Sequence, residues 1–394
     1  MDYESEGWGF ESLQARHFLK SKRKKMEKSV VKFVSVKFKK LEPSATLPAK
    51  FKRMLGSLPL KKIVEGKSVA LKMHLGGNIG YTTIHPVFVK ILVSALKDGG
   101  GDVFITDLYH ENNDNFGIRG AENRGYMEGV LGCKLVPVAG KDDKFYYSKK
   151  VDFKSLKEIQ VAGSVHDAEV LIDFSHVKGH GDCGFGGACK NIAMGCVTSE
   201  TRREVHALEG GIEWNEELCD HCETCINECR YKANKFNDKG KYELLFHHCT
   251  YCQHCVEVCP NNALTFIGKS FIDFQKGLAI ATDEVLKTFD ENRVYYINVL
   301  MNITMLCDCW GMSTPSLVPD IGIIASSDLA AIDKASLDFI KAEDLLPNSL
   351  LEGRELREGK HLFEKIWGKD PYKQIDELEK LGLGSSDYVI DEIE

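Results

Sequence analysis

Short apolar runs alternate with amphipathic stretches along much of this chain. Runs rich in Val and Ile predict strands, whereas apolar residues three and four positions apart predict helices. Helices are expected at 86–97, 329–341 and 371–381. Strands are expected at 68–75, 102–107, 170–177, 293–301 and 320–326. Strands separated by helices predict an α/β fold, with a largely parallel sheet and helices on both of its faces.

Residues 211–268 interrupt this alternation, because they contain few apolar runs and many Cys, His, Asn and Lys residues. The strands expected before and after them share the same Val- and Ile-rich character. This favours one α/β domain formed by 26–210 and 269–394, with a small α+β, ferredoxin-like domain inserted at 211–268. Three consecutive domains are the alternative.

Residues 1–25 differ from the rest of the chain. Acidic residues are followed by the basic run 20–25, without the apolar stretch of a signal peptide. We expect either a solvated, disordered tail or a start codon assigned too early, with the native chain beginning at Met26. The second interpretation rests on residues 9–12 (GFES), which resemble the translation of a transfer-RNA gene.

Composition excludes several classes of protein. The 394 residues include 51 Lys and Arg against 58 Asp and Glu, a net charge of −7, which argues against a nucleic-acid-coating protein. No apolar stretch approaches the roughly 18 residues that span a bilayer. Eight of the 14 cysteines fall between Cys219 and Cys259. In a long chain without a secretory signal, clustered cysteines favour metal binding in the cytoplasm over disulfides.

The clustered cysteines form two runs of identical spacing, and each cysteine of the second run follows its counterpart by 30 residues. In such runs three thiolates bind one [4Fe–4S] cluster and the fourth binds the other. The first cluster is therefore assigned to Cys219, Cys222, Cys225 and Cys259. The second is assigned to Cys249, Cys252, Cys255 and Cys229. Zinc is the alternative, but it prefers cysteine pairs separated by a hairpin.

This segment resembles the bacterial-type two-cluster ferredoxins over its whole length. The resemblance implies electron transfer by two [4Fe–4S] clusters. Arg230 stands where such ferredoxins usually have proline, which leaves the potential of the cluster held partly by Cys229 in doubt. The nearby histidines are expected to be solvated or hydrogen-bonding residues rather than ligands: His221, His247, His248 and His254.

A second segment, 175–196, is rich in glycine and follows the strand expected at 170–177. Open α/β sheets bind ligands beyond the carboxyl ends of their strands. Three side chains here are candidates for proton transfer or anion binding, namely His176, His180 and Lys190. Gly184, Gly186 and Gly187 would let the backbone approach a ligand, and Lys72 ends another expected strand.

The spacing in 175–196 fits neither a P-loop nor a dinucleotide fingerprint. We expect a loop rather than a strand, followed by a segment whose helix N-terminus faces an anion. A tight turn that merely lets the chain reach 211–268 is the alternative.

Cys307 and Cys309 closely follow the strand expected at 293–301. Together with Cys196, or with Cys183 or Cys189, they would form a third metal site. Inert buried thiols are the alternative. If the glycine-rich segment is a ligand site, its histidines and Lys190 should converge with Cys307 at the carboxyl edge of the sheet.

Three stretches extend the resemblance beyond the ferredoxin-like segment: ALKMHLGGN with TTIHP, GHGDCGFGGACKNIAMGC, and CDCWGMSTPSLVPDIGIIASSDLAAIDKA. They are similar to the uncharacterised Fe–S centre protein family, domain of unknown function 362, over about 60–385. This resemblance implies no particular reaction. A shorter pattern resembles the nickel-pincer lactate racemases and comprises His176, His180, Gly184, Phe185, Gly187 and Lys190.

These observations favour an iron–sulfur oxidoreductase with a substrate or cofactor site in the α/β domain. A redox partner protein or a small-molecule substrate would be its partner. One alternative is an electron carrier or scaffold without chemistry of its own. Another is a non-redox, isomerase-like enzyme whose ferredoxin part is regulatory.

Overall fold

A computed structural model describes residues 28–109, 115–229, 232–245, 249, 254–268, 271–352 and 354–394. Its centre is an eight-stranded sheet with the order β16-β1-β15-β14-β7-β2-β3-β4. The strands are β1 (Ser29–Ser35), β2 (Ser68–Met73), β3 (Asp102–Asp107), β4 (Lys134–Pro137), β7 (Val170–His176), β14 (Val294–Leu300), β15 (Gly322–Ser326) and β16 (Tyr388–Glu392). The five predicted strands all lie in this sheet, and the predicted α/β class is confirmed.

The sheet is mostly parallel. Five neighbouring pairs run parallel, and β15 runs antiparallel to both of its neighbours, β1 and β14. The connection from β14 to β15 contains only the short 3-10 turn Asp308–Trp310 between the two strands. Adjacent parallel strands need a long crossover, usually a helix, so this connection returns the chain in the opposite direction.

Helices cover both faces, as predicted. On one side α1 (Leu47–Ser57), α2 (Leu60–Val64) and α3 (Pro86–Asp98) pack on the sheet. On the other side lie α7 (Ala188–Gly195), α11 (Phe271–Leu286) and α12 (Leu329–Phe339). Val170 and Ile172 of β7 belong to the first core and Leu171 to the second, which is the alternation of a strand buried on both faces.

The predicted bounds differ from the observed ones where polar contacts draw the chain out of the sheet. The strand predicted at 68–75 ends at Met73, because the Leu75 N–H donates to the Asp107 carboxylate at 2.7 Å. The helix predicted at 371–381 is α14 (Tyr372–Lys380). Asp370 accepts a hydrogen bond from its first N–H group at 3.0 Å.

The remaining elements are short and surround the sheet. The helices are α4 (Gly117–Glu122), α5 (Glu128–Leu131), α6 (Gly163–His166), α8 (Ser199–Ala207), α9 (Thr224–Asn227), α10 (His254–Glu257) and α13 (Leu362–Trp367). The strand pairs are β5 (Tyr146–Phe153) with β6 (Leu156–Ala162), β8 (Lys178–His180) with β9 (Gly184–Gly186), β10 (Gly210–Trp214) with β13 (Leu264–Gly268), and β11 (Asn234–Phe236) with β12 (Tyr242–Leu244). Within the described residues, no helix combines the length and apolar character needed to cross a membrane.

The segment predicted to be inserted begins and ends side by side. Strand β10 pairs antiparallel with β13, so that Gly211 lies opposite Ile267. Helices α9 and α10 occupy equivalent places in the two halves, 30 residues apart. Residues 1–25, Arg230, His247, His248 and Cys252 lie outside the described residues.

Candidate functional site

A cavity of about 190 Å³ lies where β2, β3 and β7 end. Four histidines line it, namely His74, His176, His180 and His206. Lys190 and Arg202 add two cationic side chains. The lining also contains Cys307, Asp308 and Cys309 from the connection between β14 and β15. The sequence predicted this convergence of the glycine-rich segment with Cys307.

Asp308 joins the two predicted segments through a buried ionic network. Its carboxylate accepts from Lys178 Nζ at 2.7 Å and lies 2.9 Å from Nδ1 of His176. Burial opposes a charge on Asp308, but Lys178 and His176 hold its pKa well below the usual range. The carboxylate is therefore ionised inside the protein.

His176 is held from both sides. Its Nε2 lies 2.6 Å from the Met301 carbonyl oxygen, and its Nδ1 faces the Asp308 carboxylate. A carbonyl oxygen can only accept, so Nε2 carries a hydrogen. His176 therefore links the end of β7 to the segment that follows β14.

His180 has one defined tautomer. Its Nδ1 accepts hydrogen bonds from the N–H groups of Asp182 at 3.0 Å and Cys183 at 3.4 Å. Because Nδ1 accepts, the proton of the neutral ring resides on Nε2. Nε2 lies 3.3 Å from Cys309 Sγ, so the ring donates to that sulfur.

Lys190 extends from α7 to the two cysteines. Its Nζ donates to Cys307 Sγ at 3.8 Å and to Cys309 Sγ at 3.6 Å. Burial opposes a charge on Lys190, but Cys307 and Cys309 raise its pKa above the ordinary value. A hydrogen bond from Cys309 lowers the pKa of Cys307 well below that of an ordinary thiol. Lys190 and His74 also lower it, against the opposing effect of burial.

The glycines allow close packing at the base of the cavity. A Cβ at Gly186 would lie 3.4 Å from Cys307 Sγ, and one at Gly187 would lie 2.5 Å from Asp333 Oδ1. Gly184 has φ +82° and faces the backbone of Lys369 and Pro371, away from the lining. Contrary to expectation, the glycine-rich segment contains the short strands β8 and β9.

The helix N-terminus that was expected to face an anion binds a carboxylate of the protein itself instead of a ligand. The first N–H groups of α7, those of Ala188 and Cys189, donate to the Asp333 carboxylate at 2.8 and 2.9 Å. Burial raises the pKa of Asp333 to about 6. The Asp333 carboxylate therefore occupies both N–H donors and fixes the position of α7, which carries Lys190.

Lys72 lies behind the cavity lining, not in it. It is fully buried and donates to Asp107 Oδ1 at 3.0 Å and to Asn191 Oδ1 at 2.9 Å. Asn191 lines the cavity. Asp107 also lies 3.4 Å from Nδ1 of His74. Lys72 therefore positions the lining residues Asn191 and His74, the second of them through Asp107.

The structure does not bring Cys196 together with Cys307 and Cys309, the other thiols of the predicted third metal site. Cys196 is fully buried and lies beside Lys72, outside the cavity lining. Within the described residues, no three His, Cys, Asp or Glu side chains converge on one metal position. Cys183 donates to the Phe185 carbonyl at 3.0 Å, and Cys189 lies 3.5 Å from Thr282 Oγ1. These three thiols are packed in the core, whereas Cys307 and Cys309 face the cavity.

Arg202 and His206 of α8 also line the cavity, and the sequence did not predict this. Arg202 donates to the Val197 carbonyl at 2.6 Å and to Ser199 Oγ at 2.8 Å. His206 lies 3.8 Å from Asp182 Oδ2. Neither residue belongs to a motif, and only the path of α8 past the cavity brings them there. A basic residue on an otherwise polar helix carries no such signal.

A second, smaller cavity lies within 210–268. Four cysteines line it, namely Cys219, Cys222, Cys225 and Cys259. They are the four thiols that the spacing assigns to one [4Fe–4S] cluster, although Cys259 belongs to the second run. Burial, and to a smaller extent the neighbouring thiols, raise the pKa of Cys225 to about 11.

The two cysteine runs share a local hydrogen bond where the structure describes them. The Ala233 N–H donates to Cys229 Sγ at 3.2 Å, and the Ala263 N–H donates to Cys259 Sγ at the same distance. Cys249 and Cys255 are buried. Tyr242 lies between the two groups: burial raises its pKa, and the thiols Cys255, Cys225, Cys249 and Cys229 raise it further.

Two curated proteins are similar to parts of this chain. The 4-hydroxyphenylacetate decarboxylase activating enzyme of Clostridium scatologenes is 32% identical over 74 residues, which are 18% of this chain and 22% of that enzyme. A ferredoxin of Pyrobaculum islandicum is 29% identical over 91 residues, 21% of this chain and 82% of the ferredoxin. The chain thus spans about a fifth of the activating enzyme's length.

Two solved structures and one family were also matched. The lactate racemase apoprotein of Thermoanaerobacterium thermosaccharolyticum has a TM-score of 0.36 at 11% identity, over 69% of this chain and 51% of that one. A protein of Thermotoga maritima has a TM-score of 0.36 at 12% identity, over 66% of this chain and 52% of that one. Residues 69–338, well over half of the chain, match the family described as domain of unknown function DUF362. The chain therefore belongs to the DUF362 family.

Proposed function

We propose that this protein is an iron–sulfur oxidoreductase. Residues 211–268 would carry two [4Fe–4S] clusters that exchange electrons with a small molecule bound in the central cavity. The observation that carries the proposal is the set of four thiols lining one small cavity, with three of them from the first cysteine run and Cys259 from the second. This is the crossed arrangement that two-cluster ferredoxins require.

The donor set fits such a cluster. Thiols that hold a [4Fe–4S] cluster surround a volume instead of converging on one point, and the four thiols here surround a cavity. Cys249, Cys255 and Cys229 would hold the other cluster together with Cys252. When bound, such clusters accept and release single electrons. The ferredoxin similarity supports the same assignment.

The central cavity has the charge of an anion-binding site. His74, Lys190 and Arg202 line it, whereas its one acidic side chain among the described lining residues, Asp308, is neutralised by Lys178 and His176. His74 Nε2 is buried and makes no hydrogen bond within the described part of the chain. These groups would bind and orient a small anion, and His180, whose Nε2 donates to Cys309 Sγ, would lie beside it.

The chain runs directly from the cavity lining into the ferredoxin-like segment. Helix α8 carries Arg202 and His206 on the cavity lining and ends at Ala207, and β10 begins at Gly210. This continuity of the chain supports electron exchange between the two parts over a ferredoxin part with an unrelated task. A separate redox partner would supply electrons to the clusters or remove electrons from them.

We also propose that 211–268 is a separate domain inserted into the α/β domain of 26–210 and 269–394. The pairing of Gly211 with Ile267 supports this, because a short linker can close the gap. Replacing 212–267 by a Gly/Ser linker should leave a soluble α/β domain that unfolds cooperatively. An insoluble or molten product would instead indicate a core shared with the rest of the chain.

The function is tested by purifying the full chain under anoxia, denaturing it and identifying any released small molecule by mass spectrometry. The wild type should retain an anionic molecule that reoxidises or reduces the clusters when it is added back. His180→Ala should lose that molecule while the cluster spectra remain unchanged. Equal retention by His180→Ala, or a retained molecule that leaves the cluster spectra unaltered, would contradict the proposal.

A further inference from the structure

Cys307 and Cys309 differ from the other thiols of the α/β domain. Both line the central cavity, and Lys190 Nζ lies within 3.8 Å of each sulfur. By contrast, Cys183, Cys189 and Cys196 are fully buried, and burial raises the pKa of each thiol. Reactive cysteines occupy electropositive, accessible surroundings, and structural ones do not. Only the first pair among these five meets that description.

The cation beside the pair is rigidly placed. Lys190 belongs to α7, whose first turn is fixed by the Asp333 carboxylate through Ala188 and Cys189. A Cβ at Gly186 would contact both the Lys190 side chain and Cys307, so glycine permits their close approach. A fixed ammonium group favours the thiolate over the thiol.

The surroundings favour a thiolate at this pair. His180 donates to Cys309 Sγ at 3.3 Å, and Lys190 Nζ lies 3.6 Å from Cys309 Sγ and 3.8 Å from Cys307 Sγ. With one proton shared between the two sulfurs, one of them is a thiolate and the other a thiol. An adjacent thiolate and thiol are the two components of a thiol–disulfide exchange site.

We propose that Cys307 and Cys309 form a redox-active dithiol that exchanges with a small, anionic disulfide bound in the cavity. The thiolate of the pair attacks one sulfur of the disulfide, forms a mixed disulfide and expels the first product as a thiolate. The other cysteine then loses its proton to that thiolate and attacks the sulfur that carries the mixed disulfide. The second product leaves as a thiolate, and a Cys307–Cys309 disulfide remains. The dithiol loses two electrons, and the small disulfide gains both.

The charge and the volume of the cavity determine which class of disulfide fits. Its described lining holds Lys190, Arg202 and four histidines, and its acidic residue is already paired. The volume of about 190 Å³ excludes a folded protein partner from the interior. A small disulfide bearing carboxylates therefore matches both the charge and the size. This inference rests on the dithiol and the cavity, and it holds whether or not residues 211–268 carry clusters.

The test uses the full chain, reduced and kept under anoxia, with dithiodipropionate as an anionic probe and cystamine as a cationic one. Dithiodipropionate should remove two hydrogens from the peptide that contains Cys307 and Cys309. It should act about tenfold faster than cystamine, the lower end of electrostatic steering. Cys309→Ser and Cys307→Ser should each stop at a mixed disulfide on the remaining cysteine. Cluster absorbance, followed in parallel, should not change with these substitutions.

Matched variants separate a positioning role of Lys190 from a structural one. Lys190→Met should slow the reaction about tenfold, as for a rise of one pKa unit in the attacking thiol, and should shift its pH profile upward. Lys190→Arg should restore the rate, and Cys133→Ser, outside the cavity, should react like the wild type. The proposal is overturned if Cys307 and Cys309 react no faster than Cys133. A tightly bound metal that holds both thiols, or equal rates with both probes, would also overturn it.

Discussion

Nδ1 of His176 lies 2.9 Å from Oδ2 of Asp308, although the two residues are 132 positions apart in the chain. This contact ties the end of β7 to the connection between β14 and β15. Lys178 donates to the other carboxylate oxygen of Asp308, and both of these partners are almost fully buried. The cavity is therefore built on an ionic network in the interior.

Asp308→Asn should destabilise the protein by about 3–5 kcal/mol, because it leaves the Lys178 ammonium buried without its counter-ion. Chemical denaturation of the full chain under anoxia measures this. Adding Lys178→Met should recover part of the loss, since the unpaired charge is then removed. The exposed control Asp344→Asn should change stability by less than about 0.5 kcal/mol. A similarly small effect for Asp308→Asn would show that the buried ion pairs of Asp308 do not stabilise the protein.

Glu209 should make the stability of the protein depend on pH. Burial raises its pKa to about 8, and Asp182 nearby has a pKa that burial raises to about 6. The pKa of Glu209 in the folded protein lies above the ordinary value of 4.5. Between these two pKa values the folded protein therefore binds more protons than the unfolded chain does. Stability should therefore fall as the pH rises from about 5 to about 8.

Glu209→Gln should flatten this decline, because the titrating group is removed. Thermal unfolding midpoints across that pH range provide the measurement. Glu213→Gln, on the exposed side of β10, is the matched control and should retain the wild-type slope. An unchanged slope in Glu209→Gln would assign the pH dependence to other groups.

Gly187→Ala should cost about 1–3 kcal/mol, because its Cβ would press against Asp333 Oδ1 at 2.5 Å and Phe185 at 2.8 Å. Gly56→Ala lies within α1 with nothing within 4 Å of the added Cβ. It should stabilise the protein by about 0.5–1 kcal/mol. Denaturation midpoints of both variants give the comparison. Equal effects at the two sites would contradict the packing described at the base of the cavity.

The cysteine pattern predicts a result that sequence proximity would not. Cys222→Ala and Cys259→Ala should damage the same cluster, because both thiols line one cavity. Cys249→Ala should damage the other. Iron content should fall by about half in each case, and the spectrum of the surviving cluster should be the same for the first two variants. Loss of the Cys249-dependent cluster in Cys259→Ala would refute the crossed arrangement.

Much of the core could be predicted from the sequence. Val103 and Ile105 of β3 and 170–172 of β7 are apolar and mark these strands in the sequence, and the observed β3 begins and ends where the pattern predicted. The antiparallel direction of β15 was not predicted, although the missing helical pattern between 301 and 321 was the available signal. Strand β1 was also missed; its buried residue Val31 lies between the exposed Val30 and the half-buried Lys32.

The candidate site was predicted only in part. His176, His180, Lys190 and Cys307 could be identified because they lie in or beside motifs at strand ends. Arg202 and His206 could not, because the path of α8 alone brings them to the cavity. The paired role of Asp308 depends on Lys178, a residue whose burial no sequence pattern indicates. Charges buried in pairs are a property of tertiary structure and leave no periodicity in the chain.

The central claim is that residues 211–268 hold two [4Fe–4S] clusters. Its most direct test is the count of iron and acid-labile sulfide per chain in protein purified under anoxia, with zinc measured in the same sample. The account predicts about eight iron and eight sulfide per chain, from two cubanes with four thiolates each, and no stoichiometric zinc. Two zinc ions per chain without sulfide would contradict it, as would one cluster per chain after full reconstitution.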